Sequence, residues 1–386
     1  MKVALGGIFE ISSGGTPSKT HAEYYDGNIP WVKTGDLKSE YLNSVDEYIT
    51  DEGLKNSSAK MYEPGTVLLA MYGATIGAAS ILTFNACTNQ ACAAFKPCKY
   101  VIPEYLYYFL LSRREKFIHD GVGGAQPNIS GRYLKQVEFE LYPINEQRFV
   151  ISVLDRVNRI ISLKKEEIKK LDELIKARFI EMFGDPISNT KGWNMVELGE
   201  LTGIGSSKRI FEKEYVSEGI PFYRTKEIVE LSKGNNISTE LYISEERFAE
   251  IKEQYGVPKA GDLLISAVGT IGIIWIVDGK NDFYFKDGNL IRVDGSDTFD
   301  SIYMKNLLEH LISEYKKQMS SGTAYAALTI SGMTKMKVYD VPLNLQVQFS
   351  DFVKQVDKSK VVVPSKIKNA IFVIMLSVSF GQITSI

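Results

Sequence analysis

Pro143-Ile144-Asn145-Glu146-Gln147 reappears as Pro342-Leu343-Asn344-Leu345-Gln346, an offset of 199 (342 minus 143). An apolar stripe follows both copies at that offset: Val150, Val153, Leu154 and Val157 after the first, Phe349, Phe352, Val353 and Val356 after the second. Repetition on this scale constrains the architecture more than any single motif.

Earlier segments repeat in the same order. Ile29-Pro30-Trp31-Val32-Lys33-Thr34 is answered by Ile220-Pro221-Phe222-Tyr223-Arg224-Thr225, an offset of 191 (221 minus 30). Gly65-Thr66-Val67-Leu68-Leu69 meets Gly261-Asp262-Leu263-Leu264-Ile265 at 196 (261 minus 65), and Gly73-Ala74-Thr75-Ile76-Gly77 meets Val268-Gly269-Thr270-Ile271-Gly272 at 195 (270 minus 75). Asn128-Ile129-Ser130-Gly131 aligns by identity with Thr329-Ile330-Ser331-Gly332 at 201 (329 minus 128). Slowly drifting offsets describe two homologous domains that differ by small loop insertions. A chain of 386 residues accommodates two such cores.

Within each half, Val67 to Met71, Ala78 to Phe84, Leu263 to Ser266 and Ile271 to Val277 read as buried strands around glycine turns. Pro103 to Phe117 and Phe299 to Met319 read as helices, giving an α+β domain twice. Between the halves, from Glu146 to Phe183, apolar residues recur at spacings of four and three, interrupted by Lys164 and Arg178. A heptad stripe of that length is a coiled-coil signature. The helix would be about 55 Å long, and Gly184-Asp185-Pro186 stops it.

The boundaries expected are a first domain over 1–143, a central helix over 144–185, a second domain over 186–342 and the start of a second helix over 343–363. Pro364 should end that helix at or near Val363, leaving an atypical apolar tail over 364–386.

Composition is that of an ordinary globular protein, 44% hydrophobic and 24% charged, with a net charge of −2. Bulk positive charge therefore cannot be the means of holding nucleic acid; local patches or partners would have to do so. Cys87, Cys92 and Cys98 have neither zinc-pair nor disulfide spacing and read as reduced thiols. No signal-like apolar run follows Lys2, and the run Ala370 to Phe380 is too short to span a bilayer. A cytoplasmic protein with no membrane partner is expected.

Catalytic templates are missing. His21, His119 and His310 are scattered without ligand spacing, and there is no phosphate loop, dinucleotide fingerprint or amino-methyltransferase motif. No metal and no cofactor of its own is expected.

Two related α+β domains, each followed by a long helix, resemble the specificity (S) subunit of type I restriction-modification enzymes over roughly residues 1 to 363. The resemblance is carried by Ile11-Ser12-Ser13-Gly14-Gly15-Thr16-Pro17-Ser18, by Ile29 through Leu37, and by the Gly-x-Thr-Ile-Gly loop. It is also carried by Asn145-Glu146-Gln147-Arg148-Phe149 leading into Leu154-Asp155-Arg156-Val157, and by Met182-Phe183-Gly184-Asp185-Pro186. It implies that each target-recognition domain reads half of a split sequence in double-stranded DNA. It further implies an antiparallel helix pair, the second helix here shortened, that sets the gap and docks methyltransferase (M) subunits. S-adenosylmethionine, ATP and magnesium would sit on M and restriction (R) partners. A truncated or silent cassette, or a coiled-coil scaffold that binds no DNA, are the alternatives.

Base readout needs amide, hydroxyl and guanidinium groups on loops that can enter the major groove. In the first domain the candidates are Thr16, Ser18, Lys19, Trp31, Lys33, Thr34, Tyr72, Thr75, Gln90, Gln126 and Asn128. The second offers Ser206, Ser207, Lys208, Arg209, Tyr223, Arg224, Lys226, Ser266, Thr270, Asn289 and Tyr325. Thr75 and Thr270 could equally satisfy turn backbone, and Trp31 could belong to the core.

Overall fold

The structure is a computed structural model that describes residues 1–121, 128–320 and 327–360. Gln126, Tyr325 and the apolar tail, including Val363, lie outside these residues. The chain divides into two compact units, Met1–Lys165 and one beginning at Glu166.

In the first unit a five-stranded sheet runs in the order Ile11–Ser13, Cys92–Phe95, Val67–Ala70, Ala79–Leu82, Tyr41–Leu42. All its pairings are antiparallel except the last. The second unit repeats four of these strands as Ile204–Gly205, Leu290–Val293, Leu263–Ser266 and Ile274–Ile276. The central strands are apolar throughout because both faces are covered. Val67 and Leu69 pack with Tyr105 and Leu106 of the helix Pro103–Ser112, while Leu68 and Ala70 turn to Val32 and Leu42. Leu263 and Ile265 likewise meet Tyr303 and Leu307, and Leu264 meets Tyr223 and Phe285. This is the period-two alternation of a strand with two buried faces.

A second sheet in each unit contains one parallel pairing at the same place. Trp31 and Val32 lie opposite Cys87 and Thr88; Phe222 and Tyr223 lie opposite Tyr284 and Phe285. Finally, Lys2–Ala4 pairs with Glu138–Glu140, and Met195–Glu197 with Lys337–Tyr339. Each ribbon ties the start of its unit to the strand that precedes the long helix.

The expected helix Pro103 to Phe117 is interrupted. Arg113, at φ −92° and ψ 0°, separates Pro103–Ser112 from Arg114–Asp120, and Phe117 on the second piece is fully buried, its ring 6.2 Å from Tyr133. The second domain's helix is unbroken, Ser301–Ser320.

The central helix spans Ile144–Phe183, 40 residues, or about 60 Å. Val150 and Leu154 join the core of the first unit; Ile175, Phe179 and Phe183 join that of the second. Between Leu154 and Ile175 no helix residue is buried. Gly184, at φ +80°, ends the helix with a left-handed residue.

A helix Leu343–Ser359 packs on the later half of the central helix. Phe349 lies 5.6 Å from Phe183, the Arg178 guanidinium sits 5.8 Å from the Phe352 ring, and Lys360 bonds Asp172 at 2.7 Å. One sequence number rises as the other falls, so the pair is antiparallel, as the family resemblance implied. The helix ends at Ser359, four residues before the expected stop, as the Lys360 amide bonds the Asp357 carbonyl and its ammonium bonds the Asp357 carboxylate.

One alignment made from sequence is corrected. Ser130 caps the helix Gly131–Gln136 by accepting from the Tyr133 amide, and Thr329 caps Ile330–Thr334 by accepting from Gly332. The equivalence is therefore Ser130 with Thr329, at 199 (329 minus 130), the offset kept through the long helices. The Ile-Ser-Gly identity at 201 is a two-residue slip.

Candidate functional site

The segment leading out of the first strand lies against the end of the strand Ala86–Thr88. Gly15 donates its amide to the Thr88 carbonyl at 2.9 Å, and the Trp31 indole donates to the Gly15 carbonyl at 3.0 Å. A Cβ on Gly14 would stand 1.8 Å from the Thr88 carbonyl oxygen, so only glycine permits this approach. The result places Thr16 beside Gln90, the Thr16 hydroxyl donating to the Gln90 side-chain oxygen.

From Gln90 the contacts continue outward. Met71 donates to the Ala91 carbonyl at 2.9 Å, Ile129 donates to the Met71 carbonyl at 3.0 Å, and Tyr72 bridges Asn128. Asn89, next to Gln90, lines a polar cleft with Lys33, Thr34, Asp36, Lys38 and Glu47. Thr16, Lys33, Thr34, Tyr72, Gln90 and Asn128 thus belong to one connected set of loops.

The second unit repeats the construction. Lys286 donates to the Tyr223 carbonyl as Asn89 does to Val32, both at 2.9 Å. Ala267 donates to the Asn289 carbonyl at 2.8 Å and Leu328 to the Ala267 carbonyl at 3.0 Å. Arg209 reaches across this loop and bonds Asp287 at 2.7 Å. Lys208 holds its ammonium 5.0 Å from the exposed Tyr255 ring. Asn89, Tyr255, Lys286 and Asp287 were not among the sequence candidates. The strand registers would have found the last two, because the Asn89-to-Lys286 offset is 197 (286 minus 89), not the 199 at which Asn289 stands opposite Gln90.

Several candidates are seated in the core or in local hydrogen bonds. Trp31 is buried and committed to Gly15, and Tyr223 is buried with its ring stacked 4.7 Å from Phe283. Ser266 is fully buried, its hydroxyl given to the Thr270 carbonyl inside the hairpin. Ser206 donates to the Leu290 carbonyl at 3.0 Å, and the Ser207 hydroxyl is buried without a partner among the described residues. Thr75 donates to the Tyr72 carbonyl at 3.2 Å, the turn-satisfying role. Arg224 caps its own helix. Its amide and guanidinium bond Glu227 at 2.8 and 2.9 Å, and although burial of that carboxylate favours protonation, these bonds hold its pKa below the usual value. Ser18, Lys19, Lys226 and Thr270 remain exposed.

Lys33 pairs with Glu47 while both side chains stay more than a third exposed. Such a pair is worth about 0–1 kcal/mol, so the Lys33 ammonium can exchange Glu47 for another anion at little cost. No cluster of three or more metal-ligating side chains occurs among the described residues, nor is any described helix long and apolar enough to cross a membrane.

Duplicated α+β domains, each presenting a set of polar loops, and joined through one long helix, define a tandem-domain protein. Comparison with known proteins is more specific. The chain belongs to the type I restriction modification DNA specificity domain family, whose model matches residues 1–173 and 190–371. It is 31% identical over 260 residues to the type I restriction enzyme MjaIX specificity subunit of Methanocaldococcus jannaschii, covering 62% of this chain and 59% of that one. It is 30% identical over 247 residues to a putative type I specificity subunit of Haemophilus influenzae, covering 63% and 61%. The matched regions thus span about three fifths of these relatives. A solved chain from a study of assembly and conformational transition in the type I R-M system shares the fold, with a TM-score of 0.59 at 18% identity over 98% of this chain and 94% of that one.

Proposed function

We propose that the chain is the DNA sequence-specificity subunit of a type I restriction-modification system. The observation that carries this is the double match of the family model, one match over each loop-bearing domain. Each unit reads one half of a split target in double-stranded DNA, and the helices set the gap between the halves. The subunit is cytoplasmic and performs no catalysis. M subunits docked on the helices supply S-adenosylmethionine chemistry, and R subunits supply ATP- and magnesium-dependent cleavage. A net charge of −2 fits a reader that leaves much of the phosphate clamping to partners.

Genome-wide adenine methylation in cells carrying the chain with its cognate M subunit, against a deletion, tests the reading. A split motif that vanishes on deletion supports it. An unchanged methylome overturns it.

A further inference from the structure

Strand register makes Thr16 and Arg209 equivalent. Ser12 pairs with Ala94 and Gly205 with Arg292, an offset of 193 on one strand (205 minus 12) and 198 on the other (292 minus 94). Continued four residues, the first offset takes Thr16 to Arg209 (209 minus 16). On the facing loop Lys286 answers Asn89 and Asn289 answers Ala91, so Gln90 stands where the second unit has Asp287 and Gly288. A cross-loop link thus joins the corresponding loops in both units, Thr16 with Gln90 and Arg209 with Asp287. Its backbone frame is kept while its chemistry changes from hydroxyl–amide to guanidinium–carboxylate.

In each pair one member can orient the other. Asp287, only 17% exposed, takes Nε of Arg209, whose side chain is 66% exposed and whose two terminal amino groups have no bond among the described residues. Those amino groups are a two-donor fork, the complement of guanine O6 and N7. In the first unit Thr16 donates to the side-chain oxygen of exposed Gln90, which keeps a second lone pair and the amide donors. A donor beside an acceptor is the complement of adenine N7 and N6. We propose that this link is the base-reading unit of each half, Gln90 taking an adenine and Arg209 a guanine, with Thr16 and Asp287 as positioning residues. The proposal rests on the specificity-subunit reading above.

The test is methylation-motif mapping of the full chain with its cognate M subunit, using Arg209→Ala, Arg209→Lys and Gln90→Ala. Arg209→Ala is expected to relax discrimination at one G·C position of one half-site by roughly 10- to 100-fold, with the other half-site and the gap unchanged. That unaltered half reports in the same molecule that the chain is folded and assembled. Lysine supplies charge without the fork and should not restore the base. Gln90→Ala should relax an A·T position in the opposite half-site. An unchanged motif with Arg209→Ala overturns the inference, as does full rescue by Arg209→Lys, which would assign a phosphate contact. If Arg209→Ala abolishes methylation, the transplant Thr16→Arg with Gln90→Asp decides. A G·C replacing an A·T in the half-site of the first unit supports the proposal, and retention of the original base, or loss of methylation here too, overturns it. A wild-type chain that yields no split motif sinks the underlying function instead.

Discussion

Gln147 and Gln346 stand at the same buried position in their respective units and share two bonds, to which Gln147 adds a third by donating to the Tyr100 carbonyl at 2.8 Å. Gln147 accepts from the Ile102 amide at 2.9 Å and donates to the Tyr142 carbonyl at 2.8 Å; Gln346 accepts from the Asp300 amide at 2.9 Å and donates to the Val341 carbonyl at 2.7 Å. Each carboxamide thus clasps the first turn of its long helix to the backbone of its domain, with 0% and 2% of the residue exposed.

Truncating either clasp leaves buried backbone groups unpaired, at about 1–3 kcal/mol each. Gln147→Ala should destabilise the first unit and Gln346→Ala the second. Hydrogen exchange would show faster exchange at Ile102 in one variant and at Asp300 in the other.

The glycine hairpins make a graded test. Gly269 has φ +75° and open space around a Cβ, so Gly269→Ala should cost about 1–2 kcal/mol of backbone strain. Gly272 has φ +83°, and its Cβ would lie 2.6 Å from Cγ2 of buried Ile312. Gly272→Ala should therefore cost about 1–3 kcal/mol more. Urea unfolding that ranks the two equally would refute the packing argument.

The antiparallel helix pair depends on aromatic packing more than on charge. Phe349 is fully buried, with its ring edge-on 5.4 Å from Phe179, and Phe349→Ala should cost about 3–5 kcal/mol. Lys360→Met should cost less than half as much by chemical denaturation, although Lys360 bonds both Asp172 and Asp357 at 2.7 Å.

His310 stacks on Phe179 at 5.3 Å; burial, and then the charge of Lys176, hold its pKa below 6.5, while Asp185 acts the other way. The unfolded chain then binds more protons than the native one across the interval beneath 6.5, so native stability rises with pH there and falls as acid is added. His310→Gln should flatten the fall, as read from urea midpoints between about pH 5 and about pH 7.5.

If the helices set the gap, seven residues inserted after Lys165 add about 10 Å of helix and restore the azimuth to within about 20°. Methylation mapping should then find the gap about three base pairs longer. An unchanged gap would refute the ruler role.

The central helix was legible in sequence because a four-and-three stripe over many turns has few other solutions, and the duplication was legible because its matches kept their order. The break at Arg113 was not, since Tyr105, Leu106, Phe109, Leu110 and Phe117 keep helical spacing across it. Among the candidate loops, residue type alone could not separate exposed Gln90 and Arg209 from buried Trp31 and Tyr223, whose partners are distant in sequence. Asp287 was not a candidate because its place shows only through the guanidinium it holds.

The offset between the two units varies from 191 at Pro30 to 198 at Ala94, then holds at 199 from Ser130 through Val157. Length has therefore drifted only in the part of each domain that carries the loops, never from the helix cap onward. A gene built this way has an interchangeable half and an invariant joint. Crossing-over between copies inside the shared segment would preserve reading frame and helix register alike.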